Sequence, residues 1–255
     1  MMSIHDVMKS VACVCCMLVI SIALRGQVND IKNKSAENRS QSSKERSSSS
    51  GSGNTFFFFD LFRVVGTWQS IKLQKAEEVK RLVSFETFLQ GAVQPSNYYL
   101  ALPRVRGNWG LFSTDFRFNY LAEDAQANGG KAADLSTFDW QVLQLNVITQ
   151  RHLIGRIGGG SMYENFGNRN SFFEWTAGLT WMSESQTLNG NLEYRVAKDY
   201  NTNAIPRREI NFNVEKQIFN TGKWRGYATL GGIYQRYYQS VSVWGLQAGI
   251  AVRVF

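Results

Sequence analysis

The chain ends on the segment Val241–Phe255, which reads VSVWGLQAGIAVRVF. Its even positions from 244 to 254 are all apolar, whereas its odd positions include Gln247, Gly249 and Arg253. A period of two places alternate side chains on opposite faces, so the segment is predicted to be a β-strand with one apolar and one polar face. Because the chain stops within this strand, we expect a closed barrel in which the last strand pairs with the first.

This segment resembles the carboxy-terminal assembly signal of bacterial outer-membrane β-barrel proteins. In that signal a polar residue is followed by glycine and then by two hydrophobic positions separated by one residue. The matching residues are Gln247, Gly249, Val252, Val254 and the terminal aromatic Phe255, which here follows the last hydrophobic position instead of occupying it. The resemblance implies a Gram-negative outer-membrane barrel that contacts outer-membrane lipid and the barrel-assembly machinery.

The composition agrees with many pleated strands joined by polar turns. The sequence contains 17 Phe, 10 Tyr and 7 Trp but only three Pro, and aromatic residues favour strands. No run reaches the ~20 apolar residues of a spanning helix, so a membrane protein of this sequence must cross with strands. The net charge is +8, but the cations are scattered and no nucleic-acid-binding module is present, so no nucleic-acid partner is expected.

The first 54 residues predict export followed by a linker. Residues 1–26 contain an apolar run of 14 residues from Val11 to Leu24, the size of a signal-peptide core. We predict cleavage after Gly26. The three cysteines precede this point, so the mature chain is expected to have no disulfide and no thiolate metal site. Residues 27–54 are rich in Ser and nearly devoid of apolar residues, which predicts a disordered linker.

Residues 55–80 and 81–255 are predicted to form different parts of the molecule. The first segment is aromatic and then helical in pattern, and it either packs on the barrel as a plug or forms a periplasmic contact site. From residue 81 onward the chain alternates with a period of two, with a phase shift near Val142 that predicts a β-bulge. Strands are predicted at 81–90, 97–105, 107–120, 138–149, 152–163, 172–182, 188–196, 209–218, 224–237 and 241–255.

The connections between these strands favour a membrane barrel over a half-exposed sandwich. The links at 149–151, 184–187 and 219–223 are short and would lie on the periplasmic side, whereas those at 121–135 and 199–207 are long. Short turns on one side and longer loops on the other are typical of outer-membrane barrels. The predicted fold class is therefore all-β, a closed antiparallel transmembrane barrel of 8–10 strands, depending on whether 81–105 forms a further hairpin.

The polar faces of these strands predict a charged lumen. A barrel of about eight strands is just wide enough for side chains to fill, so a solid core of paired charges is favoured over a path for protons or small solutes. The predicted lumen charge network contains Asp115, Arg117, Arg156, Glu174, Glu193, Arg195, Glu209, Glu215, Arg225 and Arg253.

No catalytic, cofactor-binding or metal-ligating residues are predicted. The glycine cluster at 155–160 lacks the Lys-Ser/Thr of a phosphate loop and lies within a strand. His152 is the single histidine of the predicted mature chain, and Ser161 is nine residues away on the same strand, too far for a Ser–His pair. The lipid-modifying enzymes known among small outer-membrane barrels are therefore not matched, and one histidine without clustered ligands argues against a metal site.

The expected function is a structural or interaction role, with loops exposed at the cell surface and a periplasmic or surface protein as partner. A narrow channel or a lipid-modifying barrel enzyme is the alternative. A secreted soluble β-sandwich is the third interpretation, and it requires the apolar faces to be covered.

Overall fold

The computed structural model describes residues 27–45, 83–94, 98–124, 133–150, 152–166 and 170–255. The predicted signal peptide and the segment at 55–80 lie outside these ranges. One helix, α1 (Gln27–Glu45), precedes eleven strands. The strands are β1 (Val83–Gln94), β2 (Tyr98–Ala101), β3 (Arg104–Trp109), β4 (Phe112–Glu123), β5 (Ala133–Gln150), β6 (Leu153–Glu164), β7 (Ser171–Met182), β8 (Leu188–Lys198), β9 (Arg207–Thr221), β10 (Trp224–Tyr237) and β11 (Val241–Val254).

The strands form one antiparallel sheet that closes on itself. From β4 to β11 each strand pairs with the next along the chain. The last strand then pairs with the first in continuous register, from Phe85 opposite Val254 to Val93 opposite Leu246. Closure leaves no free sheet edge at this seam. The prediction of a closed antiparallel β-barrel is confirmed.

Strands β2 and β3 are two halves of one broken strand, because both lie between β1 and β4. The break falls at Leu102 and Pro103, where the proline has no N–H to continue the ladder. Its carbonyl still accepts a hydrogen bond from the Phe118 N–H at 3.0 Å. The barrel therefore has ten strands, at the upper limit of the prediction. The second predicted strand extends to Trp109, so the following turn lies at 110–111.

The two ends of the barrel differ in their connections. The base, where β1 begins, carries tight turns at 110–111 and 222–223, the short link between β5 and β6, and a longer turn at 183–187. Gly110 and Gly222 adopt positive φ in these turns, a conformation that costs glycine little. The opposite end, the mouth, carries the connections at 95–97, 124–132, 165–170, 199–206 and 238–240.

The barrel is apolar outside and polar inside. On β11 Leu246 is 65% exposed, whereas the neighbouring Gln247 is 1% exposed and faces the lumen. The pairing of β5 with β6 shifts in register between Trp140 and Leu143, so the bulge predicted near Val142 is present. Further exposed apolar side chains are Phe85, Leu89, Phe116, Phe138, Trp175, Leu192, Phe212, Leu230 and Ile250.

The structure differs from the sequence expectation at residues 27–45, which form α1 instead of a disordered linker. The buried positions of α1 are Val28, Ile31, Ser35 and Asn38, spaced by three and four residues along one helix face. This face lies against the mouth, and the packing explains a helix in so polar a sequence. No helix in the described part of the chain is long and apolar enough to cross a membrane.

Candidate functional site: a charged lumen beneath a helical cap

Among the described residues, seven arginines and seven carboxylates fill the lumen below its mouth, and the formal charges of these fourteen side chains cancel. Each of these side chains is buried or at most about a tenth exposed. Alternation along the strands points them inward while their apolar neighbours point outward. They are Arg104, Arg106, Arg117, Arg156, Arg195, Arg207 and Arg253 together with Glu86, Asp115, Asp139, Glu174, Glu193, Glu209 and Glu215.

A central cluster joins Asp115 and Glu193 to three arginines. Asp115 pairs with Arg195 at 2.7 Å and with Arg106 at 3.4 Å, and its Oδ1 accepts a hydrogen bond from Arg104 Nε at 2.8 Å. Glu193 pairs with Arg104 at 2.6 Å and with Arg106 at 3.1 Å. Each carboxylate thus contacts more than one guanidinium, and such additional hydrogen bonds are what a buried ion pair needs to offset its desolvation cost.

A second cluster lies closer to the mouth. Arg207 pairs with Asp139 at 2.6 Å and with Glu174 at 2.7 Å, and both side chains of each pair are fully buried. Arg117 pairs with Asp139 at 2.8 Å and donates from Nη2 to Glu209 Oε2, also at 2.8 Å. These forked contacts fix the guanidinium planes as well as neutralising the charges.

A third cluster lies closer to the base, and salt bridges connect it to the rest. Arg253 pairs with Glu215 at 2.6 Å and with Glu86 at 3.4 Å. Glu86 also lies 3.8 Å from Arg106 of the central cluster. At the other side Arg195 reaches Glu174 at 3.5 Å. Salt bridges thus join thirteen of the fourteen charges into one continuous network along the lumen, and such a network can be worth more than the sum of its pairs.

The structure places nine of the ten predicted network residues in this lumen. Arg225 is the exception: it lies directly opposite Arg253 at the base, but it forms no salt bridge with the described carboxylates, donates to Gln186 at 2.7 Å and sits 4.7 Å from the centre of the Phe255 ring. The five members that the sequence analysis missed are Glu86, Arg104, Arg106, Asp139 and Arg207. Asp139 could have been found, because it lies between the outward Phe138 and Trp140.

Arg156 is the lumen arginine without a carboxylate at ion-pair distance in the described part of the chain. It donates to Thr180 Oγ1 at 2.9 Å, and its buried Nε has no partner there. Beside it lies a cavity of about 20 Å³ that Arg104 and Glu193 also line. A space of this size holds roughly one water molecule, so this cavity is too small for the passage of a solute.

Above the charges the lumen becomes apolar, and α1 covers it. Val28 and Ile31 of α1 are fully buried in a cluster of apolar side chains supplied by the mouth ends of the strands. Burying a large aliphatic side chain contributes about 1.5–3 kcal/mol. The barrel members of this mouth cluster are Ala92, Tyr98, Leu100, Leu102, Leu121, Ala133, Leu135, Phe166, Ile233, Tyr237, Val241 and Val243.

Hydrogen bonds fix α1 over the mouth cluster. Ser35 Oγ donates to Glu164 Oε2 at 2.6 Å, and Asn38 Nδ2 donates to Asp199 Oδ2 at 2.9 Å. The Tyr238 hydroxyl donates to the other Glu164 oxygen at 2.7 Å. Burial and the nearby Glu164 carboxylate raise the pKa of Tyr238, so its phenol stays protonated and remains a donor. Thr202 completes the set by donating to Asn38 Oδ1 at 2.6 Å.

The residues of the assembly-signal resemblance lie on the closing strand. Val252 and Val254 are half-buried on the outward face, and Phe255 follows β11 at the base. Gly249 lies opposite Gln90 of β1. A Cβ at Gly249 would lie 2.7 Å from Gln90 Cα and closer still to the Leu89 carbonyl oxygen. Glycine at this position therefore permits close approach of the two strands that close the barrel.

The two residues considered from the sequence as a Ser–His pair lie apart in the structure. His152 lies in the turn between β5 and β6, and Ser161 lies toward the other end of β6, so they do not form a Ser–His pair. Among the described residues, no group of three or more His, Cys, Asp or Glu side chains is placed to hold a metal ion.

No protein-family model matches the chain, and no curated protein sequence matches it. Among solved structures the chain is similar to the N-terminal β-barrel domain of Pseudomonas aeruginosa OprF, at 12% identity over 67% of this chain and 96% of that one, with a TM-score of 0.31. It is also similar to an anion-selective porin from Comamonas acidovorans, at 13% identity over 61% of this chain and 48% of that one, with a TM-score of 0.26.

The chain thus spans about half the length of that porin. At these identities and TM-scores the similarities do not tell what this chain binds or transports. Its own sheet is closed, with a charged lumen and an apolar exterior. These features give it the architecture of an outer-membrane β-barrel.

Proposed function

We propose that this protein is an integral structural barrel of the Gram-negative outer membrane, with a sealed lumen and with loops exposed at the cell surface. The observation that carries the proposal is the balanced network of seven arginines and seven carboxylates that fills the lumen under α1. Thirteen of its side chains form salt bridges with one another across the lumen, and the fourteenth, Arg156, donates a hydrogen bond to Thr180. The surface left for interaction is then the mouth, which bears the longer connections.

The exterior supports a membrane location. Leu230 and Leu246 are 68% and 65% exposed, and they lie on neighbouring strands among other exposed apolar residues. A continuous apolar surface of this kind is unfavourable in water but suits the hydrocarbon layer. The soluble β-sandwich considered from the sequence requires these faces to be covered, whereas here they form the outside of one closed sheet.

Epitope insertion in intact cells tests the orientation. One epitope is placed after Asn203 in the connection at 199–206, and the matched control is placed after Glu184 in the turn at 183–187. The proposal predicts antibody labelling of intact cells for the first insertion and labelling of the second only after the outer membrane is permeabilised. The reverse labelling pattern would contradict the proposal. So would the absence of labelling at both insertions after permeabilisation, provided that both inserted proteins are made.

A narrow channel is the second candidate, and the unpaired position of Arg156 within the described lumen favours it. That arginine lacks a carboxylate partner among the described residues and borders a polar space. A conducting barrel would show ion currents in planar bilayers that change on Arg156→Gln. Currents that do not exceed those of bilayers without protein would exclude this candidate.

A further inference from the structure

Three cations lie together on the outward face of β8, β9 and β10 at the mouth. Arg208 on β9 is directly opposite Arg236 on β10. On its other side Arg208 is opposite Val196 of β8. Lys198 follows Val196 by two residues and therefore lies on the same face of β8. Adjacent strands are about 4.8 Å apart and alternate side chains share a face, so these three side chains form one patch. We call it the β8–β10 cation patch.

No carboxylate in the described part of the chain forms a salt bridge with this patch. The neighbouring acids face away from it: Asp199 accepts a hydrogen bond from Asn38 of α1, and Glu209 accepts one from Arg117 in the lumen. Like charges directly opposite each other destabilise an antiparallel pair, and Arg208 and Arg236 are both exposed. An anion bound between them would remove this repulsion.

The patch lies at the level of the lipid headgroups if the barrel spans a membrane. Trp224 and Arg236 lie twelve residues apart at the two ends of β10. With a rise of about 3.3 Å per residue and a strand tilt of about 40°, this corresponds to roughly 30 Å along the barrel axis, the thickness of the hydrocarbon layer. The residues just below the patch, Tyr194, Ile210 and Tyr234, are exposed and apolar or aromatic.

We propose that the β8–β10 cation patch binds the phosphate groups of a lipid headgroup in the outer leaflet. Arginine forks match phosphate oxygens in geometry and charge, and two arginines with a lysine suit a headgroup that carries more than one phosphate. The apolar surface directly below the patch provides contact for the acyl chains of the same lipid. This inference rests on the proposed membrane location and adds to it a ligand class and a site.

The test is lipid retention by the purified full-length barrel in detergent, measured by native mass spectrometry. The probes are diphosphoryl lipid A, its monophosphoryl form and uncharged phosphatidylcholine. The proposal predicts retention in that order. It also predicts that the R208Q/R236Q variant binds the diphosphoryl lipid about tenfold or more weakly, since several charge-assisted hydrogen bonds are lost. K198Q should have a smaller effect in the same direction.

The matched control is K223Q, which removes an exposed cation from the base turn of the β9–β10 hairpin. It should retain the diphosphoryl lipid like the unaltered protein. Equal retention by R208Q/R236Q and K223Q would overturn the proposal, as would equal retention of phosphatidylcholine. Displacement of the lipid by millimolar inorganic phosphate alone would overturn the assignment to a lipid and indicate a free-anion site.

A gel-mobility comparison with and without boiling accompanies each variant and separates two kinds of failure. A protein that shows no mobility shift is not a closed membrane barrel, and the proposed function itself is then wrong. A protein that shifts on boiling but does not distinguish the lipids leaves the barrel intact and refutes the cation patch alone.

Discussion

At the scale of single residues, Asp115 holds the centre of the lumen network. It is fully buried and contacts Arg104, Arg106 and Arg195. Replacing Asp115 with Asn leaves Glu193 as the one carboxylate of the central cluster, opposite three buried guanidiniums. We expect the free energy of unfolding to fall by about 3–5 kcal/mol, the usual cost of removing one partner of a buried ion pair. Urea unfolding of the barrel in detergent micelles, followed by tryptophan fluorescence, measures this change.

Arg225 provides the control for Asp115, because it is a partly exposed cation at the base. It donates to Gln186 and has no salt bridge with the carboxylates of the lumen network. Arg225→Gln should lower the free energy of unfolding by about 1 kcal/mol or less, in line with exposed polar contacts. Equal losses for the two variants would show that the lumen network does not stabilise the barrel in the way described.

Gly249 belongs to the segment that resembles the assembly signal, and the structure explains why this position is a glycine. A methyl group there would overlap backbone atoms of Leu89 and Gln90 on β1, and backbone cannot move aside as a flexible side chain can. Gly249→Ala should therefore reduce the fraction of barrel that closes during refolding. The control is Gly178→Ala, where the nearest atom to an added Cβ is 3.8 Å away. If both variants close equally well, close approach at the seam is not needed.

The sequence shows which faces carry charge but not how the charges pair. Period two identifies Asp115, Glu193 and Arg253 as inward residues from their neighbours alone. Pairing depends on which residues lie across the lumen, and Arg104 meets Glu193 although the two are 89 positions apart. Arg207 was missed for a different reason, since it begins β9 and was included in a predicted loop.

At the scale of elements, α1 closes the mouth by burying two aliphatic side chains. Val28→Asp and Ile31→Asp would each place a charge in the apolar mouth cluster. Burying that charge requires more free energy than detaching the helix from the mouth. We expect α1 to leave the mouth, so that a hydrophobic fluorescent dye binds more strongly and a protease cuts within 27–45 sooner. Both effects are measured on the folded barrel in detergent.

Ala36→Asp is the control for α1, because Ala36 is exposed on the opposite face of the same helix. It adds the same charge to the same element without entering the mouth cluster. Dye binding and protease cleavage should stay as in the unaltered protein. A response of Ala36→Asp equal to that of Ile31→Asp would mean that general helix destabilisation, and not loss of the cap, causes the effect.

The elements differ in how far the sequence could predict them. The strands from β4 to β11 follow from alternation, and the bulge at Val142 follows from its change of phase. The helix could not be predicted, because two buried aliphatic residues in a polar segment give too weak a period. The break between β2 and β3 has its cause in the sequence, since Pro103 lies within the single strand predicted at 97–105 and has no N–H to continue the ladder.

At the scale of the whole molecule, the charge network and α1 close the lumen at different levels. Removing residues 27–45 would uncover the mouth cluster but leave the salt bridges beneath it intact. We therefore expect the shortened barrel, like the complete one, to show no large pore in planar bilayers. Wide, stable conductance of the shortened form would contradict this, since it would make α1 the main barrier.

The central claim is that residues 83–255 form a closed barrel that resides in the outer membrane. Gel mobility of the membrane-extracted protein, compared with and without boiling, tests it most directly. A closed sheet whose last strand pairs with its first resists detergent until it is heated, so we predict different mobilities for the two samples and recovery in the outer-membrane fraction. Identical mobilities, together with a protein that stays in solution without detergent, would contradict the closed membrane barrel.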